Sequence, residues 1–240
     1  LVEPSPRYEE LKISLPDPVH GLEEVSAVLG IPRWWPTGAR VGVILAHGAS
    51  DDMDDPLTES LHRMLTEHRY LTLRFNFPFA EAKKRRPDAE PVLRRTLRAA
   101  VSALGRDPTA APAHLFLGGK GLGAQVAAGL ASARVRADGL ILMAYPLHPQ
   151  DKPEKVQPEQ LYRIVSPVIF LQGTRDRTCD LDVLRRTLTR VGAPTTLHVV
   201  QEADRNFKVL KKSSRTVEEV RDEIVRAVDE WIQKILGETP

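Results

Sequence analysis

The chain has 240 residues, 42% hydrophobic and 28% charged, enough to close one sizeable core. Its 34 basic and 32 acidic residues leave a formal charge of +2, which gives no global field for nucleic acid. The lone Cys179 excludes an internal disulfide and suits a reducing compartment, and no leader pattern or apolar run near the roughly eighteen residues of a membrane span is present, so the expectation is a cytoplasmic protein with no membrane association.

Along the chain, "LKISLP" and "EEVSAVLGIP" predict two early antiparallel strands joined by the turn-rich "DPVHG". "ARVGVILAHGA" reads as a buried strand ending in a glycine loop, and "DPLTESLHRMLTEHR" as a helix with Leu57, Leu61, Met64 and Leu65 on one face. The strand "YLTLRFNFP" follows, then the helix "PVLRRTLRAAVSAL" with Val92, Leu93, Leu97, Val101 and Leu104 inward. "AHLFLGGKGLGAQVAAGL" is a strand running through glycines into a helix. The strands "GLILMAYP" and "PVIFLQGTRD", the helix "DLDVLRRTLTRV", the strand "TTLHVVQEAD" and the helix "TVEEVRDEIVRAVDEWIQKIL" complete the series. Alternation of this kind predicts an α/β fold, a mostly parallel doubly wound sheet flanked by helices, as a single domain over 1–240, with leading strands and turn at 1–38 and the core at 39–236. Ligands of such sheets bind outside the carboxyl ends of the strands, which draws attention to the loops "AHGAS", "GGKGLG" and "QGTRD".

"GGKGLG" has the layout of a G-x-S-x-G nucleophile elbow, with Gly119 and Gly123 as the small neighbours a tight strand-to-helix turn needs. Gly121 stands where the serine would be. A phosphate-binding Walker loop is disfavoured because Lys120 is followed by Gly121 rather than Ser or Thr.

With the other two loops, the chain resembles the dienelactone-hydrolase-like branch of the α/β-hydrolases. The motifs are "HGAS" from His47, "GGKGLG" from Gly118, "YPLH" from Tyr145, "QGTRD" ending at Asp176 and "ADRNFKV" from Ala203, and the similarity extends over about residues 12 to 235. Within that family it is similar to proteins that include a scaffold subunit of the nuclear non-specific-lethal histone acetyltransferase complex and a testis-expressed protein. The resemblance implies a catalytic triad at positions 121, 176 and 205. Only Asp176 carries the family residue; Gly121 replaces the serine and Arg205 the histidine. A guanidinium with a pKa above about 12 cannot take a proton at neutral pH, so both halves of the serine's activation are absent.

The expected function is therefore a binding or scaffold protein with a degenerate triad, the alternative being a serine hydrolase of esterase or dienelactone-hydrolase type present as an inactivated variant. The resemblance also implies a pocket formed by His47, Gly48, Ala49, Leu122, Tyr145 and His148, with no metal and no cofactor. Amides of Leu122 and of the Gly48–Ala49 loop, at the positive end of a helix, would hold a small anionic or acyl ligand, with Arg205 adding charge. Alternatively Arg205 pairs with Asp176 and closes the site. Among stand-ins, Cys179 would be the best remaining nucleophile but lies off the elbow, and His148 could point into the cleft as a relocated base, the better reading being that it lines the pocket or bonds to a loop. His47 either shapes its turn or contacts ligand, and Ser50 is expected to cap the following helix. "KKRR" at 83–86 reads as a solvated basic loop, with a localisation or phosphate-binding patch as the sharper option; "WWP" at 34–36 reads as tryptophan packed on the sheet edge rather than a protein-partner site.

Overall fold

Six short apolar runs form a parallel sheet, β3 (Val41–Ala46), β4 (Leu71–Phe75), β5 (His114–Lys120), β6 (Gly139–Met143), β7 (Val168–Gly173) and β8 (Thr195–Val200), in a computed structural model that describes residues 5–106, 110–133 and 135–237. Every residue of β3, β4, β6 and β7 is buried, which is why these strands read as continuous apolar runs. Two longer strands, β1 (Arg7–Val19) and β2 (Leu22–Ile31), extend the sheet on the β4 side by antiparallel pairing. The order is β1-β2-β4-β3-β5-β6-β7-β8, so the leading strands belong to the same eight-stranded sheet as the core. The strand order switches at β3, which runs parallel to β4 on one side and to β5 on the other, and this switch puts the β3 and β5 loops side by side.

Alternate residues of each strand feed two cores. Ile44 of β3 joins the core under α3 (Glu90–Leu104), α4 (Leu122–Ser132) and α5 (Leu181–Leu188), while Val43 and Leu45 join the one under α1 (Pro56–His68) and α6 (Val217–Leu236). The final helix buries Val220, Ile224, Val228 and Trp231 as its spacing predicts, begins in a Thr216/Glu219 capping box and ends at left-handed Gly237.

Three local expectations differ. The strand β1 continues through the "DPV" read as turn, and only His20 and Gly21, both at positive φ, form the reversal. Proline is tolerated there because β1 is an edge strand, and its register with β2 breaks between Ser14 and Val19. A four-residue helix α2 (Pro78–Glu81), too short to leave a periodic signal, follows β4. In α3 the buried face is Leu93, Thr96, Leu97, Ala100 and Leu104, with Val92 and Val101 only half-buried. Among the described residues no helix is long and apolar enough to cross a membrane. Trp35 packs on the core and donates Nε1–H to the Ala110 carbonyl at 2.9 Å, whereas Trp34 is 67% exposed.

Candidate functional site

Close packing dictates the turn from β5 into α4. A Cβ on Gly119 would lie 2.4 Å from the Gly123 carbonyl carbon, and one on Gly123 would lie 2.3 Å from the Ala46 oxygen at the end of β3. Any larger residue at either position would push β3, β5 and α4 apart. At the apex, Gly121 adopts φ 56°, ψ −111°, and its N–H donates to Met143 O at 2.9 Å. Its Cβ would meet nothing within 4 Å. The backbone thus has the sharp form of an elbow, with open space where an apex side chain would project and no atom in that space able to attack.

Lys120, just before the apex, carries a role that motif reading did not assign. Its side chain is 4% exposed, and its ammonium lies 2.8 Å from Asp51 Oδ2 and 3.1 Å from Asp55 Oδ1. It also donates to Asn206 Oδ1 at 3.4 Å. One buried cation therefore ties the β3–α1 loop, the elbow and the β8–α6 loop together. The same Asp55 caps α1 by accepting from Thr58 N at 3.2 Å, so the cap expected of Ser50 belongs to Asp55, and Ser50 is exposed at the cleft. The acid-rich "SDDMDD" beside a lysine flanked by glycines was the available signal, but nothing in the sequence pairs them across 65 residues or more of chain.

The acid position is satisfied within its own loop. Asp176 is buried; its Oδ1 accepts from the Thr178 N–H at 2.8 Å and the Thr178 hydroxyl at 2.7 Å, and its Oδ2 accepts from Gln172 Nε2 at 2.6 Å. Three donors spread its charge, and among the described residues no ion pair joins it to Arg205, which is exposed. The closed-site alternative, in which Arg205 seals the cleft against Asp176, is therefore not realised. Neighbouring Asp204 shapes that loop instead, accepting from the Asn206 and Lys208 N–H groups at 2.8 and 3.0 Å. Cys179 is 2% exposed, and burial, then the Asp176 and Asp180 carboxylates, push its thiol far above the usual range, which makes it inert as a nucleophile.

Both pocket histidines are used up as structural clamps. His47 directs Nδ1 to the Gly48 carbonyl at 2.8 Å and accepts the Phe77 N–H on Nε2 at 3.0 Å, which fixes its neutral tautomer. Its ring sits edge-on to Phe77 and Phe79, and burial outweighs the nearby aspartates to hold its pKa below the usual imidazole value. His148 repeats the arrangement, with Nδ1 to Pro149 O at 2.8 Å and Nε2 accepting the Asp180 N–H at 2.8 Å. Neither ring has a nitrogen left to deprotonate a nucleophile, so a relocated base at His148 lacks its lone pair. Tyr145 is buried against Phe170 rather than open to ligand, and Leu122 is half-buried at the first turn of α4.

Gly48 is buried and Ala49 half-buried, and a Cβ on Gly48 would lie 2.3 Å from Asp51 Oδ2, so glycine lets this loop close over the Lys120 cluster. From Ala49 a cleft of about 760 Å³ runs between the β3–α1 loop and the segment after α2, where Lys83, Lys84 and Arg85 form its far wall. Lys83, Lys84, Arg85 and Arg86 are exposed, as a solvated basic loop requires, and the first three also line this cleft. Among the described residues no group of three or more His, Cys, Asp or Glu side chains could hold a metal ion.

Comparison with known proteins agrees with this geometry. The model of the alpha/beta hydrolase domain matches residues 39–233. A serine hydrolase without a lid from Xanthomonas campestris superposes with a TM-score of 0.70 at 21% identity, covering 93% of this chain and 94% of that one. A dienelactone hydrolase from Anabaena variabilis gives 0.72 at 16% identity over 96% and 98% of the two chains. An alpha-beta serine hydrolase homologue from Coxiella burnetii gives 0.70 at 20% identity over 92% and 97%. At these identities the likenesses bear on fold alone.

Proposed function

The chain belongs to the alpha/beta hydrolase family, and we propose that within it the serine-hydrolase chemistry has been given up while the cleft is kept for binding, as a non-catalytic binding or scaffold protein. The observation that carries this reading is a fully formed elbow with a glycine at its apex, since the turn persists where the attacking oxygen does not. Arg205 at the position where the resembled family has histidine strengthens it, because no imidazole stands ready even if a serine were supplied. The resemblance of "HGAS", "GGKGLG" and "YPLH" to a branch that includes a scaffold subunit is a further support. A small anionic or acyl compound is the ligand class, held by the Leu122 amide and the Gly48–Ala49 loop with exposed Arg205 nearby in sequence to the Asn206 that touches Lys120.

The open space at Gly121 also suits a second reading, a serine hydrolase present as an inactivated variant. Hydrolysis of short p-nitrophenyl esters separates the two. The binding reading expects no turnover from the unmodified chain or from Gly121→Ser alone, and turnover only when Arg205→His is added. Recovery with Gly121→Ser alone favours the inactivated hydrolase, and turnover by the unmodified chain removes both.

A further inference from the structure

We propose that the segment 83–85 is a prebuilt anion-binding wall and that the cleft it faces takes an organic phosphate. Lys83, Lys84 and Arg85 all line the 760 Å³ cleft that begins at Ala49. The segment is fixed in place. Glu81 before it accepts from the Ser26 hydroxyl at 2.7 Å, the Ser26 N–H at 3.2 Å and Asn76 at 2.8 Å; Asp88 after it accepts the Phe79 N–H at 2.8 Å and contacts His20 Nε2 at 2.6 Å. Between these anchors Lys83 turns through φ 53° and Lys84 N–H returns to the Phe79 carbonyl at 2.7 Å, which folds the basic run back toward the cleft. Lys83, Lys84, Arg85 and Arg86 are all exposed, so solvent screens their mutual repulsion, and among the described residues no carboxylate pairs with any of them, which leaves their charge available to an incoming anion.

The opposite wall does not supply the missing negative charge. Asp51 and Asp55 are committed to Lys120 and Asp54 to Arg74, leaving Asp52 as the one cleft carboxylate without a cation. Lys120 and Arg74 do not line the cleft themselves, but they offset three of its four carboxylates, so Asp52 is what remains against the three basic side chains of the far wall. Ala80 and Pro56 add apolar surface between the walls. That combination fits a molecule with a phosphate or diphosphate against Lys83–Arg85 and a small carbon framework over Pro56 and Ala80. The inference rests on the reading of the protein as a binding protein, not on the loss of hydrolysis, and neither Gly121, Leu122 nor Arg205 lines this cleft, so ester turnover by the unmodified chain would overturn that loss and leave this wall untouched.

Calorimetric titration of the full chain with sodium pyrophosphate, at ionic strength fixed with NaCl, tests it. One saturable event is expected, weakened at least about tenfold in Lys83→Gln/Lys84→Gln/Arg85→Gln and changed less than about threefold in Arg136→Gln, an exposed arginine outside the cleft. The charge-keeping Lys83→Arg/Lys84→Arg/Arg85→Lys variant should bind as the unmodified chain does, which guards against a folding defect. Equal binding by the glutamine variant, heat reproduced by NaCl alone, or a tighter hold on duplex DNA or anionic vesicles than on pyrophosphate would overturn the proposal. Loss in Arg205→Gln with no loss in the glutamine variant would overturn it too, while leaving the elbow as the anion site.

Discussion

The elbow at Gly119–Gly123 and the loop at Asp204–Lys208 meet at the contact between Lys120 and Asn206, yet they are specified in different ways. Backbone against backbone fixes the elbow, with less than a methyl group's room at Gly119 and Gly123, and a buried cation bolts it to two aspartates. The other loop is shaped by the Asp204 carboxylate accepting its own N–H groups, and its position 205 points no demand at the interior. On the proposed reading the fold keeps the shape of a reaction centre without its chemistry, because shape at the elbow is a packing requirement while position 205 is an exposed one.

Sharpening this contrast begins with Lys120→Met. It leaves Asp51 and Asp55 facing each other without their cation and should cost about 4 kcal/mol in a denaturant melt. Gly123→Ala, which drives a methyl into the Ala46 carbonyl, should cost about 3 kcal/mol by the same measurement. Acid also distinguishes the two sides, since His47 beside the elbow and His62 on α1 are both kept neutral mainly by burial, while the Asp204–Lys208 loop has no histidine. His62 is lowered to about 4, so its contribution is fully present above the unfolded value near 6.5 and is lost as pH falls toward 4. About 2 kcal/mol should have gone by pH 5 relative to pH 7.5, more with His47 added, and His62→Gln should flatten that pH dependence. Smallest of all, Gly121→Ser should cost only about 1 kcal/mol for its positive φ, and Arg205→His about 0.5 kcal/mol or less. A loss of several kcal/mol in either would mean that shape and chemistry are coupled after all.

The strand and helix series was legible because β3, β4, β6 and β7 are apolar on both faces and α6 keeps an unbroken helical spacing. The elbow was legible too, since only glycine fits where backbones touch, and Gly119 and Gly123 announce that contact at the right spacing. What escaped was pairing at a distance. Nothing local to Lys120 says that its partners are Asp51, Asp55 and Asn206, and nothing local to "KKRR" says that Glu81 and Asp88 pin it against a cleft. His47 and His148 stood open in the sequence between shaping a loop and facing a ligand, and the structural side of each choice holds because their ring nitrogens are spent on backbone groups, one of them in another loop. Asp176 likewise invites a partner in sequence, but Gln172 and Thr178, four and two residues away, already supply its donors.

Intact-mass analysis after exposure to a fluorophosphonate probe tests the central claim most directly. The unmodified chain should gain no adduct, and Gly121→Ser/Arg205→His should gain one, located at position 121. An adduct on the unmodified chain, at any residue of the cleft, would mean that an activated nucleophile is present and would contradict the account.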